Sequence, residues 1–264
     1  MCWMEGFFLK KRVLGIVLLL VCMLLAACGK SASGGDGDKK QLVMGTSADY
    51  SPFEYIDTAT SEDIIGFDVD LAKALGEKLG YEIVVKDMDF SGLITSLQSG
   101  KVDFVMAGME PTPERSKNVD FTDSYFRSDI LMVVAKDEDV QSFEDIKGKT
   151  VGVQIGSIQA DKAKELQKEV DFQVETRDRV PDLVEELKSG RFDGVLMEEA
   201  VSKGYLKNND SLKVISVPNN ETIGASIAFQ KDSEFTEEFN KELAVMKENG
   251  ELDELVSKWF GGVE

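Results

Sequence analysis

"LQSGKVDFVMAGME" runs from Leu97 to Glu110, and "LKSGRFDGVLMEE" runs from Leu187 to Glu199. Leu97, Ser99, Gly100, Asp103 and Val105 recur as Leu187, Ser189, Gly190, Asp193 and Val195, always 90 residues on. Lys101 recurs as Arg191, and just upstream Leu93-Ile94 recurs as Leu183-Val184. A constant offset over so many pairs marks one structural unit used twice. Each copy reads as a helix, a glycine turn and a buried strand. Gly100 and Gly190 sit where a helix end wants a left-handed residue.

The surrounding chain repeats the same alternation. "QLVMGT" is a strand, and "GFDVDLAKALGEKLG" is a helix with Phe67, Leu71, Leu75 and Leu79 on one face, closed by Gly80. "YEIVVK", the helix "SGLITSLQSG" and the strand "VDFVMA" follow. The pattern restarts with "TVGVQ", a helix from Ser157 to about Val170, "FQVET", the helix "PDLVEELKSG" and the strand "DGVLM". This is α/β alternation, and it implies a mostly parallel sheet in each of two lobes. The crossover falls between Phe126 and Val134. After "LKVISV" comes a strand over Gly224–Gln230, and then a helical tail with Phe235, Phe239, Leu243 and Met246 at helical spacing. The tail is expected to return to the first lobe. The boundaries are therefore 41–127 with 224–264 for lobe 1, and 128–223 for lobe 2. Ligands of open α/β sheets bind outside the carboxyl ends of the strands. The residues after each repeated strand, "AGMEPTPER" and "MEE", are then two rims facing across a cleft.

The first 27 residues read as a leader. Lys10, Lys11 and Arg12 precede an apolar run from Val13 to Ala27, too short to cross a bilayer comfortably. Cys2 and Cys22 leave with it, so Cys28 is the one cysteine kept, and a disulfide or a cysteine metal site in the folded body is excluded. Residues 28–40 continue through "GKSASGGDGDKK", a flexible polar tether. The formal net charge of −19 opposes binding to nucleic acid. With no histidine in the chain, Ser-His-Asp catalysis and histidine-ligated zinc are also excluded. No metal and no cofactor are expected.

"LAAC" (Leu25–Cys28) resembles the lipobox of bacterial lipoproteins, which implies acylation of Cys28, with palmitate among the expected chains, and anchoring on the outer face of the cell membrane. "GTSADYSPFEY", "GFDVDLAKAL", "GLITSLQSGKVDFVMAGM", "TPERSKNVDFTDSYF", "GKTVGVQIGSIQ", "RFDGVLMEE" and "ELVSKWFG" together resemble the extracellular solute-binding proteins, family 3, of ABC importers for polar amino acids. The likeness covers Gln41 to Gly262 and is nearest to Gram-positive lipoproteins that bind arginine and related cationic amino acids. It implies a periplasmic-binding-protein-like type II fold, in which two lobes joined by two crossing strands trap the ligand. It further implies an ABC permease and its ATPase as partners, and a monomer.

The resemblance also assigns roles. Arg115 matches the arginine that pairs with the ligand α-carboxylate, a task suited to a planar fork of donors. A surface Arg115 paired with Glu114 or a neighbouring Asp is the plain alternative. Gly108 matches a position where backbone approaches the ligand. Ser157 reads as a helix N-cap, and the helix it opens offers free N–H groups to a carboxylate. Ile158 stands where relatives often carry Thr, leaving only its backbone N–H for a contact, and Gln159 adds a polar contact. Glu198 lies where relatives carry an acid for the α-ammonium. Glu199 is its rival, since neighbours at a strand end point opposite ways. Tyr50 and Phe90 match the two aromatics that sandwich the ligand side chain. Ser47 occupies a position where some binders of basic amino acids have Asp. Glu110 replaces a small hydroxyl residue and is expected to turn toward the ligand's distal cation, a solvated loop acid being the plain alternative.

The leading reading is a non-catalytic receptor that captures an amino acid and hands it to a permease. Two others stay open: a sensor that docks its ligand-bound form on a signalling protein, and a cyclohexadienyl-dehydratase-like enzyme on the same fold.

Overall fold

The computed structural model describes residues 39–136, 139–207, 209–218 and 222–261. The leader, Cys28 and most of the tether lie outside the described residues. In chain order the strands are β1 (Lys40–Thr46), β2 (Asp49–Tyr50), β3 (Glu54–Ile56), β4 (Ile64–Ile65), β5 (Tyr81–Asp87), β6 (Phe104–Val105), β7 (Val119–Phe121) and β8 (Phe126–Ser128). They continue as β9 (Ile130–Ala135), β10 (Thr150–Gln154), β11 (Gln173–Arg177), β12 (Gly194–Glu198), β13 (Leu212–Ser216), β14 (Ile223–Ala225) and β15 (Ala228–Gln230). The helices are α1 (Phe67–Leu79), α2 (Leu93–Gln98), α3 (Ile158–Leu166), α4 (Val180–Lys188), α5 (Glu199–Lys207), α6 (Glu234–Glu248) and α7 (Glu251–Phe260).

Two five-stranded sheets share one topology. The first has the order β5-β1-β6-β15-β7 and the second β11-β10-β12-β9-β13. In each, the first three strands pair in parallel, and the next strand runs antiparallel to both of its neighbours. Four of five strands therefore share a direction, and the reversed one, β15 or β9, is the strand that arrives from the other sheet. Between the sheets, β8 and β14 pair as an antiparallel ribbon that carries the chain across both times.

The repeated sequence occupies the same place in both sheets: α2 feeds β6, and α4 feeds β12. Gly100 and Gly190 take φ of 69° and 72°, the left-handed region that a Cβ disfavours. The repeated aspartates then do identical work. Asp103 accepts from the Val43 N–H at 2.7 Å and donates its own N–H to the Val43 carbonyl. Asp193 does the same with Thr150 at 2.7 Å. Each thereby locks the third strand in its sheet's order to the second, so the repeat encodes register as well as a helix stop.

Three expectations are corrected. "VDFVMA" pairs as a strand only over Phe104–Val105, because the chain then turns through Gly108. The helix after Ser157 ends at Leu166 rather than near Val170. Gly224–Gln230 is not one strand but parts of β14 and β15, which lie in different sheets. Between them the Ser226 and Ile227 N–H groups donate to the Met109 carbonyl and to Thr122 Oγ1, bending the chain from the ribbon into the first sheet. The tail breaks at Gly250 (φ 86°) into α6 and α7. Both return to the first lobe: Phe239 and Leu243 are fully buried against it, and Phe260 stacks on Phe126 of the ribbon at 4.2 Å.

Candidate functional site

The carboxyl ends of β6 and β12 face each other, and the chain beyond β6 brings Gly108, Glu110 and Arg115 to the gap. Ser47, Asp49, Tyr50, Glu54, Phe90, Ala107, Gly108, Glu110, Gln154, Gln159 and Glu198 line one small cavity of about 10 Å³ between the lobes. Seven of the sequence candidates are among them: Ser47, Tyr50, Phe90, Gly108, Glu110, Gln159 and Glu198.

Arg115 does not line this cavity but stands beside two residues that do, Glu110 and Phe90. Its Nη1 donates to the Glu110 carbonyl at 2.7 Å and stands 3.5 Å from Glu110 Oε2, while Nη2 reaches the Gly156 carbonyl of the other lobe at 3.0 Å. Its Cζ lies 5.3 Å from the Phe90 ring, a distance at which a cation is attracted to the π face. Only 11% of the side chain is exposed, and Glu114 pairs with Lys117 instead, so this is not a surface ion pair. Burial pulls the guanidinium pKa down from its ordinary value, and the Glu110 carboxylate pushes it back up.

Glu198 ends β12 and is buried, whereas Glu199 starts α5 and pairs with Lys203 at 3.0 Å. Glu198 lines the cavity from the last position of the strand, and the turn into the helix carries Glu199 away from it. Its carboxyl meets Glu110 and the Tyr50 hydroxyl from the opposite lobe. Burial raises both acids, and Glu198 is pushed further by the neighbouring Glu110 charge. Glu198 is pushed up the more of the two, because Arg115 offsets part of the rise on Glu110. Glu110 is therefore no solvated loop acid; its carboxylate is directed at Arg115 and Glu198.

Ser157 is the N-cap of α3: its Oγ accepts from the Ala160 N–H at 3.2 Å and donates to the Gln154 carbonyl at 2.7 Å. Its hydroxyl is fully engaged, and neither Ser157 nor Ile158 lines the cavity; Ile158 packs on the core of the second lobe. Gly108 has φ of 54°, and a Cβ there would stand 3.1 Å from the Tyr50 ring. Its N–H is spent on Asp68 Oδ2 at 2.8 Å.

Sequence reasoning missed Asp49, Glu54, Asp68, Gln154 and Arg179. Glu54 and Asp68 are completely buried. Asp68 stands in register with Leu71, Ala72 and Leu75, all of them buried on α1. An acid in an apolar stripe was the legible signal. Asp49 and Arg179 reach across the lobes. The Val180 N–H donates to Asp49 Oδ2 at 2.9 Å, and Arg179 meets Asp87 at 2.9 and 3.2 Å and Asp89 at 3.0 Å.

A cleft of buried acids and one fixed guanidinium between two matching α/β lobes, joined by a two-stranded ribbon, defines a solute-binding protein. The chain belongs to the bacterial extracellular solute-binding proteins, family 3, whose sequence model matches residues 42–262. It is 53% identical over 256 residues to the arginine-binding extracellular protein ArtP of Bacillus subtilis, covering 96% of this chain and 99% of that one. Among solved structures, an ancestral arginine-binding protein bound to arginine aligns with a TM-score of 0.77 at 42% identity, over 83% of this chain and 98% of that one. The ancestral amino acid-binding protein AncCDT-1, a precursor of cyclohexadienyl dehydratase, aligns with a TM-score of 0.77 at 35% identity, over 83% and 95% of the two chains. These structural neighbours share the type II fold of amino acid-binding proteins.

Proposed function

We propose that this chain is the substrate-binding component of an ABC importer for a cationic amino acid, with arginine first and lysine or histidine after it. The observation that carries the reading is the charge of the cleft. Three buried acids, Glu54, Glu110 and Glu198, line the cavity, a fourth, Asp68, stands against Glu54, and Arg115 beside Glu110 is the cation set against them. A ligand with two positive groups and one negative suits that surplus. ArtP, the arginine-binding relative, supports it. Arg115 takes the α-carboxylate, helped by the N-terminus of α3 at Ser157 and Ile158. Glu198 takes the α-ammonium. Tyr50 and Phe90 flank the side chain, with Ser47, Gly108 and Gln159 completing the wall. Glu110 is turned to the α-group end here, so the distal cation is left to Glu54, which lines the same cavity.

Binding is a population shift. The cavity is far smaller than an amino acid, so the lobes part to admit one, and a ligand touching both rims favours the closed state. The boundaries that serve this clamp are 41–127 with 224–264, and 128–223. Residues 1–27 are removed as a signal peptide, and Cys28 carries the lipid. Residues 28–40 tether the protein to the extracellular face of the membrane, where, as a monomer, it meets the permease and its ATPase.

AncCDT-1 gives the enzymatic alternative its specific support. Incubation with arogenate and prephenate tests it; the receptor reading expects no turnover. The main test is a thermal melt of the chain without its first 28 residues against each amino acid. A specific ligand at a thousandfold excess over Kd stabilises the fold by about 4 kcal/mol. Arginine is expected to shift the melt; a protein unmoved by arginine, lysine, histidine and ornithine alike does not have this function.

A further inference from the structure

Glu54 and Asp68 form a pair that the binding of α-groups leaves unexplained. Both are 0% exposed, Glu54 at the start of β3 and Asp68 in the first turn of α1. Asp68 Oδ2 accepts from the Gly108 N–H at 2.8 Å and from the Tyr125 hydroxyl at 2.7 Å. With both acids ionised, Asp68 Oδ1 and both Glu54 oxygens would have no donor. With one proton, the two carboxyls bond to each other. Two touching carboxylates in a dry interior do not both ionise.

The acidic neighbours Asp49 and Glu198 favour keeping that proton on Glu54, while the Gly108 N–H and the Tyr125 hydroxyl, both bonded to Asp68, favour leaving the charge on Asp68. Asp49 and Tyr50 face the pair from β2, Glu198 from β12, and Tyr125 from the turn ahead of β8. Arg115, the cation of the cleft, stands against Glu110 and is not among the groups acting on the pair. Burial is the largest cause on both acids; it raises Asp68 to about 7 and Glu54 well above its ordinary value.

We propose that the Glu54–Asp68 pair is a proton-binding site in competition with the ligand, so that a cationic side chain entering the cleft displaces one proton to solvent. This rests on the reading of the cleft as a site for cationic amino acids. The exchange balances: the protonated pair and a ligand cation give an anionic pair bound to that cation, plus one released proton. A neutral side chain leaves the proton where it is. Discrimination between arginine and an uncharged analogue then depends on pH, with arginine affinity rising by up to about tenfold per pH unit while the unliganded pair still holds its proton.

Isothermal titration of the chain lacking residues 1–28 tests this, since Lys40–Glu264 form one compact unit. Arginine is titrated at pH 6, 7 and 8 in buffers of different ionisation enthalpy, and the slope of observed heat against that enthalpy counts protons. At pH 7 the wild type is expected to release about one proton more per arginine than Glu54→Gln does. No release from the wild type, or the same release from Glu54→Gln, overturns the proposal. Citrulline has arginine's length and a neutral end, and it serves if the variant does not fold. It shares the α-groups, so the Glu110–Glu198 pair contributes equally to both ligands. A difference of about one proton supports the exchange, and equal counts overturn it. If arginine does not bind at any pH, the reading of the function fails, which is a separate result.

Discussion

At the scale of single residues, Arg115 shows how far a side chain's surroundings decide its role. A guanidinium in "TPERSK" could have paired with Glu114 at the surface; instead it is nearly enclosed and bonded to the Glu110 and Gly156 carbonyls. Charge-assisted bonds of this type contribute about 1.5–3 kcal/mol each. Arg115→Ala is therefore expected to weaken arginine binding by at least about a hundredfold, with the unliganded melt little changed, because the fork bonds loop carbonyls rather than holding a sheet or helix. Titration of the variant against arginine checks this, and an unchanged dissociation constant removes Arg115 from the site. Other residues resist such reading because their chemistry depends on where the chain brings them. Glu110 could be seen in sequence to break a pattern, but not that its carboxylate would meet Glu198 from the other lobe. Glu54 sits between two aromatics in "FEY", yet its role becomes legible only when Asp68, fourteen residues on, is found against it.

Among elements, α1 is the one on which the site hangs, and its start is fixed by a glycine. The Phe67 and Asp68 N–H groups donate to the Pro52 and Phe53 carbonyls, so the loop before β3 caps the helix in place of a side chain. Gly66 has φ of 137°, and a Cβ there would stand 2.1 Å from the Phe53 carbonyl oxygen. No rotamer relieves a clash with backbone. Gly66→Ala is expected to destabilise the fold by about 2–4 kcal/mol and, by moving α1, to displace Asp68 from Gly108. Gly148→Ala is the control: φ is 74° with nothing within 4 Å of the added carbon, so only about 1–2 kcal/mol of backbone strain applies. Urea unfolding of the two variants checks the order, and equal losses would sink the argument. The helices and most strands were legible because their periodicity is local. The break of Gly224–Gln230 into β14 and β15 was not, because it is made by Met109 and Thr122, more than a hundred residues away.

For the whole molecule, the closed arrangement is held by contacts that need no ligand. Arg179, just ahead of α4 in the second lobe, bridges Asp87 and Asp89 at the end of β5 in the first. Asp49 of the first lobe accepts from the Val180 N–H at the start of α4, where the positive end of the helix favours an acid. Nothing in "TRDRVPD" announces Arg179 as more than a loop cation, since its partners lie 92 and 90 residues earlier in the other lobe. Exposure sets its worth: Arg179, Asp87 and Asp89 are 27%, 36% and 58% exposed, and such pairs contribute about 0.2–1 kcal/mol each. That is enough to matter, because the apparent affinity of a clamp scales with the fraction of molecules able to close. Arg179→Ala is expected to weaken arginine binding by about two- to tenfold without touching the ligand. The loss should be largest at low salt and should shrink as ionic strength rises toward about 1 M, where the screening length falls to about 3 Å. Titrations of wild type and variant across that range measure it. A residue that contacted the ligand directly would lose affinity at every salt concentration, and a latch that contributed nothing would leave the two proteins alike throughout. Only a gap that closes with salt fits a clamp whose resting balance between open and shut is set on its surface, away from the acids that choose the solute.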